Sequence, residues 1–163
     1  MAPPSKPAWI INTTSQFLRR SAVATEFEID FEGYKLQFGN DKSTAKSGIY
    51  CVYRCVFDSE NNKVLRKKLI YIGESKNVNE RLANHNRFED WSKSLKTGEV
   101  LCYTFGAVPP EHRERCEAAM IFRHKPEFNS EHTEEFNHKP STIVLTGRTQ
   151  FLDTRFTVEP TTA

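Results

Sequence analysis

Two phenols, a guanidinium, an imidazole and a carboxylate stand at spacings that folding could gather into one site. Tyr50 closes the triplet Gly48-Ile49-Tyr50 and Tyr71 opens Tyr71-Ile72-Gly73. The two triplets lie in apolar, strand-like runs joined by the polar stretch Asp58-Ser59-Glu60-Asn61-Asn62-Lys63, which has the composition of a hairpin turn. Neighbouring antiparallel strands would therefore carry two aromatic hydroxyls at matching points. Arg81 and His85 follow four residues apart, a spacing that sets both on one helical face, where they can address the same ligand. Glu117 lies beside Met120 and Ile121 in a later helical segment, and a carboxylate next to an apolar stripe is partly desolvated and seeks a cation. Asn129 comes just after Pro126, the residue that stops that helix. Such a set could hold an anion and a cation side by side.

The elements that must position these groups can be read from local pattern. Gly48 to Phe57 and Val64 to Gly73 are two strands. After Gly73, either Ser75 or Asn77 can cap a helix whose first apolar positions are Val78 and Leu82. Its second half supplies Phe88, Trp91 and Leu95 at helical spacing, and these are expected in the core. Val100 to Val108 is a third strand, and Pro109-Pro110 opens a helix that runs to His124. The order strand, strand, helix, strand, helix predicts an α+β fold in which helices flank a small, mainly antiparallel central sheet. Residues 46–130 form the core of this reading, between an N-terminal arm over 1–25, a β-hairpin extension over 26–45 and a C-terminal extension over 131–163.

Gly48-Ile49-Tyr50, Tyr71-Ile72-Gly73, Arg81, His85, Glu117 and Asn129, in this order, resemble the GIY-YIG nuclease superfamily, which includes homing, restriction and repair endonucleases. The resemblance covers about residues 46–130, roughly half the chain, and no catalytic position of the family pattern is missing. It implies hydrolysis of DNA phosphodiester bonds with one divalent ion, Mg2+ or Mn2+, per active site. By the same resemblance Glu117 is the metal ligand, and magnesium, which keeps most of its waters, needs few protein oxygens. Arg81 would hold the scissile phosphate and its growing charge with a planar fork. Tyr50 is the general base by similarity, although a free phenol, with a pKa of about 10, needs nearby cations to serve. His85 is the alternative base, and the sequence leaves the two routes open. Tyr71 and Asn129 take supporting roles, Tyr71 orienting water or phosphate and Asn129 fixing the site.

Charge and composition supply the partner. The 163 residues carry a net charge of +2, but residues 63–87 hold seven Lys and Arg against Glu74 and Glu80, a local balance of +5. Within that stretch Lys67, Lys68, Lys76 and Arg87 are the expected phosphate-facing, substrate-binding residues. Double-stranded DNA is the favoured substrate, and cutting both strands with one site per chain requires a homodimer or two encounters. Restriction or defence is the leading context. The alternatives are a toxin or effector nuclease with an inhibitory protein partner, and a non-catalytic nucleic-acid-binding module on the same fold.

The flanks carry two further expectations. Phe27, Ile29 and Phe31 alternate with Glu26, Glu28, Asp30 and Glu32, then Gly33 precedes Tyr34, Leu36 and Phe38. This pattern reads as a hairpin with an acidic, solvated stripe. Ser141 to Val158 alternates β-formers with Arg148 and Arg155 and is expected to pack as another hairpin turning near Gly147. The N-terminal arm has Pro3, Pro4 and Pro7, a short helix from Thr14 to Ala24, and an apolar run of only three residues, Trp9-Ile10-Ile11, too short for a signal peptide or membrane span. Cys51, Cys55, Cys102 and Cys116 include no close CxxC pair, which predicts buried free thiols in a reducing compartment and a cytoplasmic location.

Overall fold

The computed structural model describes residues 23–37 and 42–162. The arm helix expected over 14–24 therefore lies almost wholly outside the described residues. Six strands form one sheet in the order β3-β2-β4-β1-β5-β6. They are β1 (Thr25–Lys35), β2 (Gly48–Asp58), β3 (Lys63–Ser75), β4 (Glu99–Ala107), β5 (Ser141–Gly147) and β6 (Arg155–Val158). Among the described residues three α-helices accompany them, α1 (Val78–Ala83), α2 (Phe88–Lys93) and α3 (Pro110–His124), with a short 3-10 helix at Lys42–Thr44.

The β2–β3 hairpin forms as its alternation and turn chemistry require. Asp58 accepts hydrogen bonds from the backbone amides of Glu60 and Asn61, and Asn62 takes a left-handed conformation at φ 48°, which asparagine tolerates. β4 then pairs antiparallel with β2. The chain is a mixed α/β protein, and its sheet is mixed rather than antiparallel, because β5 runs parallel to β1. The reason lies in the connection after α3: Thr25 donates its amide to the Pro140 carbonyl, so β5 enters the sheet from the same end as β1.

A second correction concerns residues 26–38. No hairpin turns at Gly33; β1 is one strand through Lys35, bridging β4 on one side and β5 on the other. Both its polar edges are consumed by neighbours, which a terminal hairpin would not have achieved. Phe27, Ile29 and Phe31 are buried, while Glu26, Glu28, Asp30 and Glu32 stay exposed. Within this stripe Glu26 pairs with Arg155 at 2.7 Å and Asp30 accepts from Thr146 at 2.9 Å. At the far side β5 and β6 form the expected C-terminal hairpin.

Each face of the sheet has its own core. Cys116, Ala119 and Met120 of α3 pack on Phe27, Ile29, Phe31, Ile49 and Cys51 together with Phe136, Ile143 and Phe156. The opposite face collects Tyr50, Val52, Ile70 and Phe105 under Val78 and Leu82 of α1 and Trp91 of α2. The single helix expected after Gly73 is thus two short ones, and Phe88 is 50 % exposed rather than in the core. The cysteines also depart from expectation. Cys55 and Cys102, on adjacent strands β2 and β4, form a disulfide with Cα atoms 6.3 Å apart, whereas Cys51 and Cys116 are buried free thiols. Among the described residues no helix is long and apolar enough to cross a membrane.

Candidate active site

β2 and β3 carry the two phenols in a register that explains the glycine of the second triplet. Tyr50 pairs with Gly73 across the strands, and a Cβ on Gly73 would stand 2.2 Å from the Tyr50 Oη. Only glycine lets the Tyr50 ring lie across β3. Farther along, the register slips between Val52 and Tyr53, so that Ile70 is an extra residue in β3. Such a bulge re-aims the side chains beside it, and here Ile70 and Tyr71 both turn toward the α1–α2 face. The two phenol rings then stack with centroids 6.1 Å apart and planes 25° from parallel.

His85 arrives from a different element than its spacing implied. Asn77 caps α1 by accepting from the Glu80 amide, the helix ends at Ala83, and His85 lies in the turn beyond it. Arg81 and His85 therefore do not share a helical face. His85 is 6 % exposed, packed 4.3 Å from the Trp91 ring, with Nε2 2.7 Å from the Tyr50 Oη. Its Nδ1 accepts the Arg87 backbone amide at 2.9 Å. A neutral imidazole whose Nδ1 accepts must carry its proton on Nε2, so His85 donates to Tyr50. Burial first, then the Arg81 and Arg87 charges, push the His85 pKa down to about 3, which keeps the ring neutral across the physiological range.

Tyr71, Arg81, Arg87, Glu117 and Asn129 line one cleft of about 240 Å³. Tyr50 and His85 are buried and do not line it; they meet it through Tyr71, whose ring stacks on Tyr50 and lies 5.4 Å from the His85 ring. Arg81 is held by a hydrogen bond to Asn86 at 2.9 Å, and its charge opposes the effect of burial on Tyr50. Burial wins: the Tyr50 phenol lies above its ordinary value, raised further by Tyr71, and Tyr71 is raised by burial and by Glu117. Asn129 clasps β3 with both ends of its amide, accepting from the Ile72 amide at 3.0 Å and donating to the Ile72 carbonyl at 2.8 Å. Its role in this geometry is to tie the segment after α3 to the strand of Tyr71.

Glu117 is the group most in need of a partner. Its carboxylate is half-buried and has no hydrogen bond or ion pair among the described residues. Burial raises its pKa to about 8, assisted by Glu74, Glu131 and Glu114 and opposed by Arg113, a cation that Glu74 already engages. An oxygen donor so placed fits a hard divalent cation. Among the described residues no three His, Cys, Asp or Glu side chains gather as a cage, so water and substrate oxygens would complete the shell of an ion held there.

The expected substrate-binding residues divide. Arg87 lines the cleft itself, and Lys76 lines an adjoining cleft that shares Arg81. Lys67 and Lys68 border a different cleft, with His124 and Pro126, and Lys68 is neutralised by Glu127 at 2.8 Å. Four participants were missed by reading the sequence: Asn86, which steadies Arg81, Trp91 beneath His85, and Glu131 and His132 on the cleft wall. Trp91 carried a core signal that was correct but incomplete, and nothing local marks the other three. No family model, no curated protein and no solved structure matches this chain.

Proposed function

We propose that this cleft hydrolyses DNA phosphodiester bonds, as a divalent-metal-dependent endonuclease of the GIY-YIG type. The observation that carries the reading is the convergence of Tyr71, Arg81, Glu117 and Asn129 on one cleft, with the hydrogen-bonded Tyr50–His85 pair packed against the Tyr71 ring. These side chains come from β2, β3, α1, α3 and two turns. Packing alone does not require them to meet.

The chain's own residues divide the work. Arg81, with Arg87 beside it, binds the phosphate and meets the charge that grows on its oxygens. The contacts of His85 favour Tyr50 over His85 as the base: with Nδ1 accepting the Arg87 amide, the neutral ring carries its proton on Nε2 toward Tyr50 and has no free nitrogen to take another. Tyr50 is the base once its own proton has passed to solvent: the His85 N–H and the Arg81 guanidinium stabilise the resulting phenolate, which then takes the proton of the attacking water and returns to the phenol. Tyr71 orients the water from the cleft wall. Glu117 would hold the ion, which supplies charge neutralisation at the phosphate and a more acidic bound water.

Double-stranded DNA is the proposed substrate, with a homodimer for cutting both strands and restriction or defence as the context; the Cys55–Cys102 disulfide removes the free-thiol basis for a cytoplasmic setting. One observation favours a second reading. Tyr50 is only 1 % exposed and raised in pKa, features that also suit a non-catalytic nucleic-acid-binding module. Supercoiled plasmid with Mg2+ or with EDTA separates the two. Nicking by the wild type in Mg2+, lost in EDTA and in Glu117→Gln, is the expected result; DNA binding without cutting under any divalent ion would end the nuclease proposal.

A further inference from the structure

Phe151 leaves half of its ring open to solvent while the other half packs toward the buried Tyr53 ring, centroids 6.5 Å apart. Its ring is 48 % exposed, and its backbone adopts φ 64°, a left-handed conformation that costs a non-glycine residue free energy. A single exposed aromatic is ordinary on a protein surface. One that is rigidly presented, at a conformational cost, between cationic side chains is not.

The presentation is rigid because the loop is anchored on both sides of the ring. Gln150 accepts from the Tyr53 hydroxyl at 2.9 Å and donates its amide to the Tyr34 hydroxyl at 3.2 Å. Leu152 is buried, and its amide bonds the Thr149 carbonyl at 3.0 Å. Phe151 borders two clefts at once, one shared with Arg66 and Arg148 and the other with Lys67 and Lys68. The Arg66 guanidinium is stacked 4.6 Å over the Tyr34 ring and fixed to Gln150 at 3.3 Å. The Arg148 guanidinium and the Lys67 ammonium are exposed and make no ion pair or hydrogen bond among the described residues. The acids nearby are already engaged: Glu127 by Lys68 and Asp153 by Arg123.

This patch is joined to the catalytic cleft by β3. Lys67 is the extra residue of a second bulge, between the Arg54 and Cys55 registers, and Tyr71 lies four residues on, roughly 14 Å along a strand. The turn after α3 runs beside the same stretch, with Glu127 on Lys68, Phe128 on Ile70 and Asn129 on Ile72.

We infer that the Phe151 loop and the outer end of β3 form a second DNA-binding surface, in which a strand leaving the cleft places phosphates on Lys67 and Arg148 and stacks an unpaired base on Phe151. The inference rests on the proposed nuclease reading for its substrate, but the surface can be tested without catalysis. Base–aromatic stacking and a cationic groove are the two ingredients of single-strand recognition.

Fluorescence anisotropy in EDTA, with a labelled 20-nucleotide strand and the duplex of the same sequence, reads the surface directly. Phe151→Ala should weaken binding of the single strand about tenfold and the duplex less, and Phe151→Trp should retain it. Arg148→Ala and Lys67→Ala should each reduce the salt dependence of single-strand binding by about 0.7 in log–log slope. Should Phe151→Ala melt early, Arg148→Glu, on an exposed side chain, takes its place and should weaken single-strand binding more than Arg148→Ala does. Wild-type affinity and slope in the Arg148 and Lys67 variants, or equal losses for strand and duplex in Phe151→Ala, would overturn the inference. Plasmid cutting scored in parallel keeps the two ideas apart. Lost binding in these variants without wild-type cutting removes the nuclease and leaves the surface, whereas cutting with unchanged binding does the reverse.

Discussion

Glu117→Gln should make the protein more stable at alkaline pH while abolishing its chemistry. A carboxyl whose folded pKa is raised from 4.5 to about 8 binds its proton more tightly in the folded chain. Its stabilising contribution is complete below pH 4.5 and is lost as pH rises through 8. Glutamine mimics the protonated form at every pH, so the variant escapes that loss. At about 1.4 kcal/mol per pH unit, the rise sets a ceiling of about 5 kcal/mol above pH 8. Partial exposure of the side chain screens the charge and reduces this to about 1–2 kcal/mol. For a chain of 163 residues that corresponds to a gain in melting temperature of roughly 3–6 °C. Circular dichroism melts at pH 5, 6.5 and 8 provide the assay, with the gap between variant and wild type widening at each step. Adding Mg2+ at pH 8 should raise the wild type alone, since an ion held by the ionised carboxylate stabilises only the state that binds it. A gap that stays constant with pH, or a variant that melts below wild type at pH 8, would refute the assignment of Glu117 as an uncompensated, cation-seeking group.

Gly73→Ala should displace the Tyr50 ring, because the new Cβ would lie 2.2 Å from its Oη; stability should fall by about 1–3 kcal/mol, plasmid nicking by a hundredfold or more, and thermal melts with a nicking assay check both. His85→Ala should lower kcat by roughly 10² or more with little change in KM, since it removes a donor that stabilises the reactive phenolate form of Tyr50; an unchanged kcat would show that the 2.7 Å contact is only structural. Asn129→Ala, which frees both backbone groups of Ile72, should cost about 1–3 kcal/mol in denaturant titration. Reduction of Cys55–Cys102, which closes a loop with a sequence separation of 47, should cost about 2–4 kcal/mol, seen as a lower urea midpoint in dithiothreitol.

The groups that could do chemistry were legible in the chain, and so were the local elements that bear most of them. Turn composition marked the β2–β3 hairpin, Pro109-Pro110 marked the start of α3, and alternation marked the acidic outer face of β1, because each of these is decided by neighbours a few residues away. Pairing partners are decided by residues far along the chain. Nothing near Gly33 says that β1 continues past it, since its two edges are satisfied by β4 and β5. Nothing near Cys55 names Cys102, which β4 brings alongside.

The site divides along the same line. Residue types in order predicted that Tyr50, Tyr71, Arg81, His85, Glu117 and Asn129 gather; Tyr71, Arg81, Glu117 and Asn129 do line one cleft, and the Tyr50–His85 pair packs behind Tyr71. How they act could not be read that way: the helix expected to carry His85 stops two residues short, and the Arg87 amide fixes the imidazole tautomer. Sequence pattern records which side chains a fold can bury or cap locally. Protonation states, charge pairing and the lie of one ring over a glycine depend on distances set only when distant strands and helices close on each other.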